Sequence, residues 1–459
     1  MNLSVEPLRD STLSVRKLNI AKSPKKGGSS KLDSVPYLSE LGVYIEEKIQ
    51  PIQFTSNINE HIHRWAPYVQ GFSAAFVQSI LAKYSNDYYE PVVLDPFAGC
   101  GTVLVEAKLN GYKSIGTELN PLLQFIANTK LNCWGLSPDY FLTSYNKLPN
   151  SKKTSAPSFI KSESHFNKGV LSNLEIIKGS IDNIETKLKK QKQVKDLLNV
   201  AFASILIDCS NLKRTPCLGY WKNKNVPDSA PFALMNQKIH EIAQDLRIIN
   251  SEYKKFIDTA SEVILANAMK YSHQERYDLV ITSPPYMNGM DYVINYKIEM
   301  GWLGFVQSQT ELKKVKDDLV VCDNVSKGSI RRFAHYEEKY TNNWIEEIKS
   351  NIQKNIDRRG SYRRLDMPNI VHKYFDDLYK VMKNVVKSLQ KGGRFILVVG
   401  DSLIADVYVP TDLLIAKIGE DLGMKIESIE LARERRSGQI RSYKLRETII
   451  TLIRRDSSE

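Results

Sequence analysis

Seven short runs, mostly apolar, constrain this chain more than any other feature. They are PVVLD (91–95), SIGTE (114–118), EVILANA (262–268), YDLVIT (277–282), RFILVVGD (394–401), KIESIEL (425–431) and ETIITLI (447–453). Runs of this length, bounded by polar residues, glycine or proline, read as short strands, and the most apolar of them as strands buried on both faces. Most are separated by helix-length segments: Thr102 to Asn110, ended by Gly111; Pro121 to Leu131, with proline at its start; and stretches near 370–390 and 411–422. The alternation predicts an α/β fold, a doubly wound, mostly parallel sheet of seven strands. Ligands bind such sheets at the carboxyl ends of the strands, so the strand ends are where function is sought.

Two polar segments interrupt the alternation. They divide the chain into an N-terminal arm (1–59, partly disordered), a first α/β part (60–131), a basic insertion (132–261), a second α/β part (262–304), a second basic insertion (305–369) and a C-terminal part (370–459). The first insertion contains IETKLKKQKQVKDLL and the turn-rich SNLKRTPCLGYWKNKNVPDSAPF; the second contains SKGSIRRF and DRRGSYRRL. The first 36 residues are polar, include SPKKGGSSK, and read as a mobile arm. The formal net charge is +12, and residues 145–225 hold 15 Lys/Arg against 6 Asp/Glu, which points to a polyanionic partner, most simply nucleic acid. No apolar run approaches the roughly 20 residues of a membrane span, and the N-terminus lacks the apolar core of a secretory signal. Five scattered cysteines without a Cys-x-x-Cys pair argue against a disulfide framework or a zinc site and fit a reducing cytoplasm.

The first strand runs directly into LDPFAGCGT (94–102). Gly99 and Gly101 flank a turn into a helix, where a backbone free of side chains can approach a ligand and offer N–H groups. The dinucleotide fingerprint GxGxxG is not met, because position 104 is Leu, and no Gly-Lys-Ser/Thr follows to make a phosphate loop. The second strand ends at Glu118, an acid placed to accept from ribose hydroxyls. The strand YDLVIT stops at Ser283-Pro284-Pro285-Tyr286, and two prolines cannot extend a sheet ladder because neither has an N–H to donate.

DPFAGCGT together with TSPPY resembles the amino-group DNA methyltransferases, enzymes that use S-adenosylmethionine; the resemblance covers about 60–131 and 262–453. It implies a class I, Rossmann-like methyltransferase fold. It implies that Asp95, Phe97, Gly99, Cys100 and Gly101 hold the methionine part of the cofactor and that Glu118 holds its ribose. HRWAPYVQGF (63–72) is similar to a motif that closes over the cofactor, with Tyr68 and Phe72 the best matches and Ala66 where the family often has His. Asn267, in Ala-Asn-Ala, stands where an acid often contacts the adenine amino group. Asp291-Tyr292 and Trp302-Leu303-Gly304 are similar to pocket-wall residues.

An exocyclic amino group is a poor nucleophile, because its lone pair is delocalised into the ring. Acceptors set against its two N–H groups favour the pyramidal geometry of attack. Ser283 Oγ can be one acceptor and the Pro284 carbonyl the other, with Pro285 fixing the turn. Tyr286 offers a face on which an extruded base can stack. No covalent intermediate is required; Cys217, after Pro216, lies inside the insertion and not at a strand end. In the family, Ser before Pro-Pro is typical of cytosine N4, which makes that amino group in duplex DNA the expected target. Adenine N6, or a catalytically silent DNA-binding relative, are the alternatives. The expected DNA contacts are Lys213 and Arg214 in the first insertion and Arg331, Arg332, Arg358 and Arg359 in the second, with Arg able to read guanine edges. A restriction endonuclease is the partner such a methylase implies, and no metal is expected.

Overall fold

The computed structural model describes residues 29–455 apart from 51, 67, 69–70, 149–151, 215–216, 288–290, 322–324 and 441. Pro216, Cys322 and residues 1–28 of the expected arm therefore lie outside the described residues. The main sheet has eight strands: β1 (Glu46–Glu47), β2 (Val93–Asp95), β3 (Ser114–Glu118), β4 (Ser261–Leu265), β5 (Tyr277–Thr282), β6 (Leu389–Gly400), β7 (Met424–Arg436) and β8 (Lys444–Arg454). Their order is β1-β7-β8-β6-β5-β2-β3-β4. Only β8 runs against its neighbours; every other pairing is parallel. From β2 the chain moves outward through β3 and β4 and then returns to β5, on the other side of β2. That reversal opens a crevice at the carboxyl ends of β2 and β5.

All seven expected strands are in this sheet. The eighth comes from the segment read as an arm, and here the structure differs from that reading. Residues 30–41 form two short helices, Ser30–Asp33 and Val35–Leu41, and β1 lies along the outer edge of β7. The buried Arg446 of β8 holds them, donating to Ser34 Oγ (2.6 Å) and to the Ser30 carbonyl (3.3 Å), while Tyr443 donates to Asp33 Oδ2 (2.5 Å). A polar segment is ordered by a partner more than 400 residues away in sequence, which local composition does not reveal.

Strand alternation divides the core between the two faces. Leu279 and Ile281 of β5 pack with Val93, Ile396 and Val398 on one face, and Tyr277 and Val280 pack with Leu94, Phe395 and Leu397 on the other. Both insertions are built into these cores. Leu174, Leu198 and Ile242, from the inserted helices Lys168–Asp182, Lys189–Ile205 and Ala230–Glu252, join the first face. Ile345, Ile348 and Ile352, from Asn343–Arg359, join the second. Among the described residues no helix is long and apolar enough to cross a membrane.

Candidate active site

At the switch point the ends of β2 and β5 are tied together. Asp95 Oδ1 accepts from the Phe97 N–H (3.0 Å) and from Thr282 Oγ1 (2.6 Å), the residue just before Ser283. Asp95 is buried, and loss of hydration pushes its carboxyl up to about 7. Gly99 has φ +52°, and a Cβ there would lie 3.1 Å from the ring of Tyr68. Tyr68 therefore covers the turn. Gly101 has φ +86° and begins the helix Thr102–Leu109; a Cβ there would come within 2.9 Å of Ala127 Cβ. Its role is to pack two helices closely, and it does not line the cleft. Glu118 Oε2 accepts from the Gly99 N–H (2.9 Å) and Oε1 from the Asn120 N–H (2.8 Å), so the carboxylate shapes the same turn, and burial raises its pKa.

These groups line one cleft of about 880 Å3, its open mouth included. Tyr68, Phe72, Asp95, Phe97, Gly99, Cys100, Glu118, Asn267, Ser283 and Pro285 all contribute to its wall. The charged residues on that wall are Asp95, Glu118 and Asp318, with no Lys, Arg or His among the described lining residues. Three acids and no base suit a ligand carrying positive charge and hydroxyl donors, and oppose a phosphate. Asn267 lines the cleft and is also bonded within the fold. Its Oδ1 accepts from the Met269 N–H (2.9 Å) and its Nδ2 donates to the Asp318 carbonyl (2.8 Å), so it pins the strip 318–320 onto the cleft.

Ser283 stands on the wall nearest β6. Its hydroxyl donates to the Val398 carbonyl at 3.1 Å. A hydroxyl has one proton, so the oxygen is left to accept. The Pro285 carbonyl already accepts from Tyr374 (3.0 Å). Tyr286 is not on the cleft wall. It is half-buried over the ends of β6 and β8: its hydroxyl donates to Glu447 Oε1 (2.5 Å), and a Cβ on Gly400 would strike its ring at 3.1 Å. Ser283 thus lies between the glycine-turn cleft and the tyrosine.

A glycine turn on β2, an acid ending β3 and a Ser-Pro-Pro-Tyr turn ending β5 meet at one switch point. The family model described as DNA methylase, of the N6/N4 methyltransferase type, matches residues 24–128, which hold the first two of these features. The match supports the amino-group DNA methyltransferase family for this chain. Type II methyltransferase M.BsoBI of Geobacillus stearothermophilus is 24% identical to it over 444 residues, covering 84% of this chain and 83% of that protein. Type II methyltransferase M.AvaI of Nostoc sp. is 24% identical, covering 82% of each chain. Type II methyltransferase M.MvaI of Kocuria varians is 22% identical, covering 83% of this chain and 86% of its own.

The basic residues expected on DNA are placed unequally in this chain. Lys213 is exposed, with Nζ 5.8 Å from the centroid of the Trp221 ring. Arg331 and Arg332 are exposed on the helix Lys327–Ala334, and Arg358 is exposed near the end of Asn343–Arg359. Arg359, also exposed, is ion-paired with Asp406. Arg214 is a correction. It is largely withdrawn from solvent, ion-paired with Glu299, and donates to the Asn295 carbonyl (2.9 Å).

Sequence reasoning missed Asp245. This fully buried carboxylate, on the inserted helix Ala230–Glu252, accepts from the Ile62 N–H (3.0 Å), Arg64 Nη2 (2.5 Å) and Trp65 Nε1 (2.8 Å). It fastens the segment leading to Tyr68, including Ile62 at φ +67°, a strained value for a β-branched residue. The readable signal was an acid three residues after Ile242 and four before Ile249, on the apolar stripe of its helix.

Proposed function

We propose that this methyltransferase transfers a methyl group from S-adenosylmethionine to the N4 amino group of a cytosine flipped out of duplex DNA. Bound S-adenosylmethionine supplies an electrophilic methyl group on a sulfonium. The residues of the cleft fit that ligand. Asp95 and Glu118 offer carboxylate oxygens to its ammonium group and ribose hydroxyls, the Gly99 turn allows close backbone approach, and Tyr68 covers it.

The observation that carries the reading is the hydrogen bond from Ser283 to the Val398 carbonyl. It commits the only proton of the hydroxyl and makes Ser283 Oγ an acceptor for one N–H of the target amino group. The Pro284 carbonyl, held by two rigid residues, accepts the other. With both N–H groups engaged, the nitrogen lone pair is released from the base ring and aimed at the cleft. Positioning the nucleophile supplies much of the rate. Tyr286, tethered by Glu447, closes the far side as the stacking face, and the proton released after transfer passes to solvent. Ser283, rather than Asp or Asn, before Pro-Pro favours cytosine. The relatives' names as type II methyltransferases support a place in a restriction–modification pair, with an endonuclease of the same specificity as partner.

The test is incubation of the purified chain with isotopically labelled S-adenosylmethionine and mixed-sequence duplex DNA, followed by digestion to nucleosides and mass spectrometry. Label in N4-methyl-2′-deoxycytidine is expected. Label in N6-methyl-2′-deoxyadenosine would overturn the cytosine assignment, and absence of label in any base would overturn the reaction.

A further inference from the structure

Arg214 lies in the first insertion, on the strand pair Leu212–Arg214 and Leu218–Tyr220. Its guanidinium is 4.6 Å from the centroid of the Tyr296 ring, and the Leu218 N–H donates to Asn295 Oδ1 at 2.7 Å. Asn295, Tyr296 and Glu299 belong to the helical stretch that follows the Ser283–Tyr286 turn. Tyr296 in turn stacks on Tyr68, with ring centroids 6.0 Å apart and planes at 23°. Tyr68 is the ring that a Cβ on Gly99 would strike. A continuous stack therefore joins Arg214, Tyr296, Tyr68 and the glycine turn. The same strand pair also carries an outward surface. Tyr220 and Trp221 are 56% and 50% exposed, and Lys213 lies beside the Trp221 ring. Exposed aromatics flanked by lysine suit DNA, where a ring can meet a base face and an ammonium a phosphate.

We propose that Arg214 is a positioning residue for the cofactor. Through Tyr296 it holds Tyr68 over the glycine turn, and it thereby links duplex DNA docked on the Trp221 surface to affinity in the cleft. The inference rests on the function proposed above. A planar guanidinium paired with Glu299 can stack on Tyr296, whereas a lysine ammonium in its place could pair but not stack. The seated and released positions of Tyr68 are the two states that both ligands bias, so DNA and cofactor must each tighten the other by the same factor.

The test measures binding of S-adenosylhomocysteine by calorimetry, with and without saturating duplex, so that no turnover is needed. The wild-type chain is expected to bind it, and to bind it about fivefold or more tightly once DNA is present. The double variant Arg214→Met/Glu299→Gln removes both charges and strands neither. With folding checked by circular dichroism, its affinity for S-adenosylhomocysteine should fall about tenfold and the effect of DNA should vanish. Arg214→Lys, which keeps the ion pair, should lose the DNA effect as well and serves if the double variant does not fold. Trp221→Ala should weaken duplex binding about fivefold or more. A folded Arg214 variant with wild-type affinity and an intact DNA effect would overturn this inference alone. A wild-type chain that fails to bind S-adenosylhomocysteine would overturn the proposed function, and this inference with it.

Discussion

At the scale of single residues, the chemistry turns on which lone pairs and charges remain available once the fold has used the others. Ser283 gives its proton to Val398 and keeps its acceptor face. Ser283→Ala should lower turnover about 100-fold or more, the usual cost of one lost transition-state hydrogen bond, while leaving affinity for S-adenosylhomocysteine within about twofold of wild type. Single-turnover kinetics beside calorimetry checks that split. Asp95 shows the same logic through charge. Burial lifts its carboxyl to about 7, above the ordinary 3.8, so without ligand its ionisation costs stability, and that cost appears as pH rises from about 4 to about 7. A cationic ligand favours the ionised form, so affinity should strengthen between about pH 6 and about 8, and Asp95→Asn should flatten the profile. Gly101 is constrained by sterics. Gly101→Ala puts a Cβ at φ +86° and into Ala127, costing about 1–2 kcal/mol from the backbone alone, measurable as a lowered denaturation midpoint.

Elements matter here chiefly where one holds another in place. The segment before Tyr68 has a strained residue, and the inserted helix Ala230–Glu252 fixes it through the carboxylate of Asp245 and through Lys238, which donates to the Arg64 carbonyl (2.8 Å). Asp245→Ala would leave the Ile62 N–H and Trp65 Nε1 without partners in a buried site, together with the charge of Arg64. A loss of about 3–5 kcal/mol in unfolding free energy is expected, read by chemical denaturation. The upstream motif was legible as a string, but its support was not, because nearly 180 residues separate Asp245 from Trp65. Tyr286 carries a similar lesson. The run Ser-Pro-Pro-Tyr marks a strand end and an aromatic, yet only the packing of β6 and β8 places the ring over Gly400 and ties it to Glu447.

For the whole molecule, the two insertions are extensions of the two cores flanking the sheet, and they carry much of the chain's exposed positive charge outward. Lys213, Arg331, Arg332, Arg358 and Arg359 are exposed, Arg359 in an ion pair with Asp406, while Arg214 is held inside by Glu299. Duplex affinity should therefore fall steeply, about tenfold or more, between about 50 and about 200 mM salt as counterions cease to be released. Fluorescence anisotropy checks this, and a flat dependence would contradict phosphate contact by the insertions.

What the sequence determined by itself was everything local in origin. Apolar runs and their breaks set the seven strands, and the glycine turn, Glu118 and Ser283 sit at strand ends because the chain must change direction there. What only the tertiary structure decided was the use of each charged or aromatic side chain. Arg214, Asn267 and residues 30–47 look solvated or available in one dimension, and each is claimed by a partner distant in the chain. Burial makes an unpaired charge or amide costly, and the identity of its partner follows from how the sheet brings distant segments together.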